Sequence, residues 1–319
     1  MNRRRMMGSV LASITALGLL AAPVAADYPV DTVRLITHSS AGGGTDVFLR
    51  RIATTLGPIM GVTFVVENVT GGGGARAMAE LANSPSDGSV FYGSTPSYII
   101  TSLLSNPEVR HDDLVPVVNL FYDPQTVFVL ADSPYQSLND VIADAQARPR
   151  EVVAAVSTPA SLDRQVIEEF QAVTGTELIV LTHDGGGDVL LSVLNGTADF
   201  GVGEIAELRG QIDAGAMRII ATYTEDRVPV IGDVPTAQEQ GVDLVVSKFR
   251  GIVGHPDLPP EVIAAWEEGV QQMLADPEFK AWYEGEGVQL GYLDHEDAKV
   301  ARDEFVASIQ AFFDEFDIN

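Results

Sequence analysis

Strand-like and helix-like runs alternate along most of this chain, and that alternation constrains its fold more than any other feature. Strand-like runs lie at 32–37, 63–67, 89–93, 127–131, 152–156, 178–181, 199–202, 217–222 and 252–254. Helix-like runs lie at 45–60, 75–83, 98–104, 138–147, 161–173 and 187–194, and apolar stripes at 262–274 and 300–316 predict two more packed helices. Strands that alternate with helices predict parallel sheets covered on both faces, with ligands bound at the carboxyl ends of the strands.

Residues 1–26 have the features of a secretory signal peptide. Arg3, Arg4 and Arg5 form a basic start, and the apolar stretch at 10–20 is shorter than the ~20 residues that span a bilayer. Small residues precede Asp27, so we expect cleavage after about Ala26, with a retained anchor as the alternative. The remaining residues, 27–319, are long enough for two domains.

The charge of the chain excludes one class of function. Lysine and arginine number 19 against 45 aspartates and glutamates, and loss of residues 1–26 takes the net charge from −26 to −29. Nucleic-acid binding needs a basic surface, so we expect none.

There is no cysteine, the five histidines are scattered, and His295–Lys299 does not complete an H-E-x-x-H motif. We expect no catalytic residue, no metal and no cofactor.

Four loops of one type follow strands and end where helices begin. They are "SSAGGGTD" (39–46), "TGGGGARA" (70–77), "STPAS" (157–161) and "HDGGGD" (183–188). A helix start exposes N–H groups and the positive end of the helix dipole, and glycine lets an anion approach them. The loops therefore predict a site for a carboxylate or phosphate. The alternative is that they are tight turns, and in either case we expect Thr45, Ser161 and Asp188 to be helix N-caps.

Phosphate-binding motifs give one alternative from another class. No Gly-Lys pair exists in the chain, which excludes a P-loop. Residues 72–77 fit G-x-G-x-x-A after a strand, as in a Rossmann-like dinucleotide-binding oxidoreductase. The acidic residue expected about 20 residues later is missing, since Tyr92-Gly93-Ser94 stands there. Dinucleotide binding stays open as the alternative.

Four segments carry a resemblance to a known family. They are "YPVDTVRLITHSSAGGGTDVFLRRIATTL" (28–56), "VVENVTGGGGARAMAELANSPSDG" (65–88), "GDVPTAQEQGVD" (232–243) and "GHPDLPPEVIAAWEEGVQQMLADPEFKAWYEGEGV" (254–288). In this order they resemble the substrate-binding proteins of tripartite tricarboxylate transporters, the TctC or Bug family. The resemblance implies a type II periplasmic binding protein fold, with two α/β domains, mixed or parallel sheets and a hinged cleft. Domain 1 would comprise 27–128 and 248–319, and domain 2 would comprise 129–247.

The resemblance also implies a function and a site. A periplasmic monomer would capture an organic carboxylate and deliver it to the large and small membrane subunits of the transporter, or serve instead as a carboxylate sensor. Residues that match the family's binding loops are Ser39, Gly43, Gly44, Thr45 and Asp46 in the first loop, Thr95 and Ser97 after the third strand, and Ser157, Thr158 and Ser161 in domain 2.

Three departures from the family pattern bear on the identity of the ligand. They are Thr182–Gly185, Gly203-Glu204 and Phe249–Gly251. We expect Arg250 to pair with a second carboxylate of the ligand through two hydrogen bonds, with a surface arginine as the alternative. His183 either contacts the ligand or caps its own loop.

Overall fold

The computed structural model describes residues 28–315, so the predicted signal peptide lies outside the described residues. The strands are β1 (Thr32–Thr37), β2 (Thr63–Asn68), β3 (Val90–Ser94), β4 (Val115–Leu130), β5 (Val153–Val156), β6 (Ile179–Thr182), β7 (Phe200–Glu204), β8 (Met217–Thr222), β9 (Ser247–Gly254) and β10 (Gln289–Leu293). The helices are α1 (Gly44–Met60), α2 (Ala75–Ala82), α3 (Pro96–Ser105), α4 (Leu138–Ala147), α5 (Leu162–Thr174), α6 (Gly186–Leu194), α7 (Ile205–Asp213), α8 (Pro260–Ala275), α9 (Pro277–Gly285) and α10 (His295–Glu315). Among these helices, none is long and apolar enough to cross a membrane.

The strands form a mixed sheet with two lobes. Along the main path their order is β2-β1-β3-β9-β4-β7-β5-β6, and β8 and β10 pair with separate parts of β4. The first lobe contains β1–β3, β10 and the sheet that they form with β9 and the start of β4. The second lobe contains β5–β8 and the end of β4. Within the lobes, β1 pairs in parallel with β2 and β3, and β5 pairs in parallel with β6 and β7. The predicted fold class, two α/β units with mixed and parallel sheets, is confirmed.

Strand β4 joins the lobes. Its residues 115–124 pair with β9, and residues 125–130 pair with β7 and β8, all antiparallel. The chain returns through β9, which pairs with β3 as well as β4. The predicted domain boundary at 128 lies inside β4 and that at 247 lies at the start of β9, and this division stays a prediction.

Each lobe has its own apolar core. In the first lobe α1 buries Phe48, Leu49, Ile52 and Leu56 on one face, at the spacing of an amphipathic helix. These side chains pack in one cluster with Trp266, a fully buried tryptophan of α8 whose ring contacts two phenylalanines. The second lobe packs the apolar faces of α4 and α5 against β5, β7 and β8.

Sequence patterns missed part of this fold. Only 127–131 was predicted as strand where β4 has 16 residues, because Pro116, Asp123 and Pro124 are residues that strands disfavour. The pattern also missed α7, α9 and β10. The expectation that Val300 belongs to a packed stripe is wrong, since its side chain is 58% exposed.

Replacing Trp266 with alanine should show how much the first-lobe core contributes. Trp266 is buried between Phe64 and Phe91, and its indole N–H donates to the Tyr28 hydroxyl at 3.3 Å. We expect Trp266→Ala to lower the free energy of unfolding by about 3 to 5 kcal/mol, through lost burial and the cavity left behind. Val300→Ala is the control, with an expected change within about 0.5 kcal/mol in the same urea titration. Equal effects of the two substitutions would contradict this packing.

Candidate functional site

Loops at the carboxyl ends of five strands meet where the two lobes face each other. The loops after β1 and β3 come from the first lobe, and those after β5, β6 and β7 come from the second. Helices α1, α3, α5, α6 and α7 begin there. A cavity of about 20 Å³ lies between the loops, with Lys248 of β9 at its edge. The sequence predicts a ligand site at the carboxyl ends of the strands, and this cleft lies there.

The glycines of the first and second lobes pack against each other. A Cβ atom placed on Gly43 would lie 3.1 Å from the Gly186 nitrogen and 3.2 Å from the Gly187 nitrogen. A Cβ on Gly185 would collide with the Ser40 nitrogen of the opposite lobe. The two glycine-rich loops therefore let the lobes approach backbone to backbone.

A carboxyl group of the chain itself occupies the start of α1. The Gly44 N–H donates to Glu207 Oε2 at 2.7 Å, and the Glu204 N–H donates to Glu207 Oε1 at 3.0 Å. A Cβ on Gly186 or Gly203 would collide with the same carboxyl group. Three glycines thus leave space for the Glu207 carboxyl group. The group that lies against the start of α1 here is therefore a side chain of the second lobe.

A buried ionic cluster extends from Glu207 to the strands that join the lobes. Arg250 donates to Asp123 Oδ2 at 2.5 Å and to Thr45 Oγ1 at 2.9 Å, and its Nη2 lies 3.0 Å from Glu204 Oε2. Lys248 contacts Glu204 and lies 3.1 Å from Asp163 Oδ1. The guanidinium and ammonium groups therefore connect both lobes and the strands between them. We call these six side chains, Asp123, Asp163, Glu204, Glu207, Lys248 and Arg250, the cleft cluster.

The environment separates the pKa values of the two neighbouring glutamates. Burial, and then the Glu204 carboxylate, raise the pKa of Glu207 well above its ordinary value. Burial alone would also raise the pKa of Glu204, but Lys248 and Arg250 outweigh it and lower that pKa to about 2. The two shifts therefore favour the ionised form of Glu204 and the neutral form of Glu207. Burial and the same two cations lower the pKa of His38 to about 3, which leaves its imidazole neutral.

Most of the predicted site residues border the cavity. They are Ser39, Gly44, Thr45, Thr95, Ser97, Ser157 and Thr158. Thr95 Oγ1 and Thr158 Oγ1 are buried and have no hydrogen-bond partner among residues 28–315. The Ser157 hydroxyl donates to Asp163. The structure thus brings together hydroxyl groups from three separate loops, and their contact with a ligand stays a prediction.

The other predicted residues lie away from the cavity. Asp46 accepts hydrogen bonds from the Gly42 N–H, Arg50 and Asn68, all in the first lobe. His183 borders a separate polar groove on the second lobe. Gly43 contacts the opposite loop, as described above. Arg250 is fully buried rather than a surface arginine, and it is paired with the protein's own carboxylates. Its predicted pairing with a ligand stays a prediction.

The N-cap predictions have mixed outcomes. Ser161 is the N-cap of α5, and its hydroxyl accepts from the Arg164 N–H at 3.2 Å. The predictions for Thr45 and Asp188 are wrong, because α1 and α6 begin earlier, with Gly43 and Gly185 as their N-caps. Neither glycine has a side chain that could cap its helix. Acceptors from other parts of the chain can therefore pair with the N–H groups at the starts of α1 and α6.

Sequence reasoning missed the cleft cluster apart from Arg250. Lys248 and Arg250 are two positions apart on β9, and Asp123 and Gln125 are two apart on β4, so each pair lies on one face of its strand. A period-two pattern of polar residues within two central strands was the available signal. Lys248 is also one of only three lysines in the chain.

Comparison with known proteins gives the family. The profile described as "Tripartite tricarboxylate transporter family receptor" matches residues 48–314. The chain belongs to this family. The resemblance stated from the sequence is confirmed.

Curated proteins and solved structures are similar to this protein along most of the chain. Protein BugT of Bordetella pertussis is 28% identical over 280 residues, which cover 86% of each chain. The structure of Rpa4515 of R. palustris with adipate is 25% identical with a TM-score of 0.84, covering 90% of this chain and 98% of that one. MatC from Rhodopseudomonas palustris with bound malate is 21% identical with a TM-score of 0.79, covering 88% and 97%.

Substituting Gly44 should show that the cleft depends on a missing side chain. A Cβ there would collide with Arg250 Nη2 and Glu204 Oε2. We expect Gly44→Ala to lower the free energy of unfolding by about 1 to 3 kcal/mol through overpacking. Gly210→Ala is the matched control, since Gly210 is also helical and has open space around it. Gly210→Ala should stabilise the protein by about 0.5 to 1 kcal/mol. If both substitutions stabilised the protein, a collision of the Gly44 Cβ with Arg250 and Glu204 would be ruled out.

Glu207 should make stability fall as the pH rises. Above its ordinary pKa of 4.5 the unfolded chain ionises this carboxyl, while the folded protein keeps it protonated up to the raised pKa. The free energy of unfolding therefore decreases through that window, by at most about 1.4 kcal/mol per pH unit for one group. We expect Glu207→Gln to have a flatter dependence than the wild type in urea titrations between pH 5 and pH 7. Parallel curves for the two proteins would mean that Glu207 is ionised in the folded state.

Proposed function

We propose that this protein is a periplasmic receptor that closes its two lobes over a carboxylate-bearing solute and delivers it to the membrane subunits of a tripartite tricarboxylate transporter. Its family is a receptor family, and the related structures of Rpa4515 and MatC hold adipate and malate. Export with cleavage after about Ala26, a monomeric state and the absence of enzymatic activity belong to the same proposal. A sensor subunit that binds the same solute is the second candidate.

The start of α3 is the observation that supports carboxylate binding most directly. Of the five helices that begin at the cleft, four carry an acidic residue in the first turn, namely Asp46, Asp163, Asp188 and Glu207. Among these five described helices, α3 is the one without such a residue, a feature that it shares with α2 outside the cleft. Its N–H groups and the positive end of its dipole are therefore not neutralised by a carboxylate of its own first turn.

The side chains at the start of α3 fit the same ligand group. Thr95 is the N-cap residue, yet its hydroxyl makes no capping hydrogen bond. Its Oγ1 is unpartnered within residues 28–315, and the residue is 1% exposed. Thr95 and Ser97 border the cavity together with Ser39. A carboxylate placed here accepts hydrogen bonds from hydroxyl groups and backbone amides without a formal positive charge.

Binding requires the cleft to open. A cavity of about 20 Å³ holds no more than about one water molecule, so a solute enters a more open arrangement of the lobes. Strands β4 and β9 are the connections about which the lobes move, as in hinge closure of other receptors. A second carboxylate at Arg250 would have to compete with Asp123 and Glu204, which already hold the guanidinium.

Thr95→Val tests the carboxylate position. Because the hydroxyl has no partner in the protein, we expect the variant to unfold at the wild-type urea concentration or slightly above it. Its affinity for the preferred carboxylate should fall about tenfold, which corresponds to a lost hydrogen bond to a charged group. Isothermal titration calorimetry measures the affinity after a thermal-shift screen of carboxylic acids identifies the ligand. Thr54→Val, at an exposed position on α1, is the control with unchanged binding.

Two outcomes count against this function. Wild-type affinity in Thr95→Val would remove the start of α3 from the site. A thermal shift with a nicotinamide dinucleotide and with none of the carboxylates would favour the Rossmann-like oxidoreductase instead.

A further inference from the structure

The two walls of the cavity carry different chemistry. The first-lobe wall presents hydroxyl groups and backbone amides, together with the neutral imidazole of His38. The second-lobe wall presents three buried carboxyl groups, those of Asp163, Glu204 and Glu207, and Lys248 of β9 lies beside the first two at the edge of the cavity. A ligand that spans the cavity therefore meets hydrogen-bond donors without formal charge at one end and carboxyl groups at the other.

Both basic side chains of the cleft cluster already lie between acidic partners. Lys248 contacts Asp163 and Glu204, and Arg250 contacts Asp123 and Glu204. Three carboxyl groups thus surround two bases in this part of the described chain. A second ligand carboxylate would have to displace one of the protein's own, which would leave a buried carboxylate unpaired.

Unpartnered oxygen atoms provide a second observation at the same place. Thr158 Oγ1 borders the cavity on the second-lobe side, in a residue that is 3% exposed, and it has no partner among residues 28–315. Asp123 Oδ1 and Gln125 Oε1 are also buried without a donor in the described chain, although neither residue borders the cavity. Buried oxygens of this kind ordinarily accept hydrogen bonds, and N–H groups of a ligand can supply them.

We propose that the solute is zwitterionic, with a carboxylate at the start of α3 and an ammonium group held by the carboxyl groups of Asp163, Glu204 and Glu207. This inference rests on the proposed carboxylate-receptor function and names its substrate class, amino-carboxylic acids. Glu204 and Glu207 are then specificity-determining residues.

Charge decides between the classes of solute. The cleft cluster contains four carboxyl groups and two bases, so acidic groups outnumber basic groups beside the cavity. A dicarboxylate adds two negative charges to this buried cluster, whereas a zwitterion adds no net charge and brings its positive end to the acidic wall. A positive charge beside Glu207 also offsets the repulsion that Glu204 exerts on it.

Pairs of acids that differ in one charged group test the inference. The probes are 4-aminobutyrate against succinate, 6-aminohexanoate against adipate, alanine against propionate, and glutamate against glutarate. Calorimetric titration of the purified protein gives the dissociation constant of each at one pH and ionic strength. We expect the tightest ligand to carry an ammonium group and to bind at least tenfold more tightly than its partner without one.

Two variants separate recognition from folding. Glu204→Gln removes a charge that holds both bases, and this variant can fail to fold. Glu207→Gln keeps the shape of a side chain that pairs with neither base. We expect each folded variant to lower the ratio of zwitterion affinity to dicarboxylate affinity at least tenfold. General damage to the cleft would lower both affinities together and leave the ratio unchanged.

The outcomes distinguish this inference from the function on which it rests. Tighter binding of a dicarboxylate or of propionate than of the amino acid partner overturns the inference and leaves the carboxylate receptor standing. An unchanged affinity ratio in Glu207→Gln also overturns it. Binding of none of the eight acids overturns both.

Discussion

The pairing of Arg250 is the constraint on which the cleft depends. A guanidinium removed from water must be matched by nearby carboxylates and hydrogen-bond acceptors, or the fold loses the free energy of its hydration. Arg250 is buried and reaches Thr45 in the first lobe, Asp123 on β4 and Glu204 in the second lobe. Its partners are complete only when the lobes are together. The closed arrangement is therefore coupled to the solvation of one cation.

The glycine-rich loops follow from the same constraint. For Arg250 to reach Glu204, the start of α1 and the second lobe must approach without an intervening side chain, and Gly44 provides that space. Gly43 and Gly185 do the same for the neighbouring backbones. The loop sequence "SSAGGGTD" thus allows contact between the lobes and leaves space for the Glu207 carboxyl group at the start of α1.

Sequence patterns predicted the fold well and the site in part. Period-two and helical periodicity located β1, α4 and β8 with the bounds that the structure has, because in each the apolar pattern coincides with burial on a sheet or core. The loop rule pointed to Thr158 and the family resemblance to Thr95, and both residues border one cavity. Periodicity could not identify Asp163, Glu204 or Glu207 as neighbours of Lys248. Their proximity depends on β4, the long strand that joins the two lobes. Its prolines and Asp123 are residues that strands disfavour, so the sequence pattern did not predict its full length.

The charge of the whole molecule and the charge of the cleft favour the same solutes. The net charge of −26 repels anions, but only within about 8 Å of the surface at physiological salt. Inside the cleft that screening is absent, and the acidic wall acts on any group brought beside it. The start of α3 is the part of the cleft where no carboxylate of the chain faces the helix amides from the first turn. On the proposed function a single carboxylate would lie there, and a second anionic group would have no comparable position, so the charge at the far end of the solute would decide its affinity.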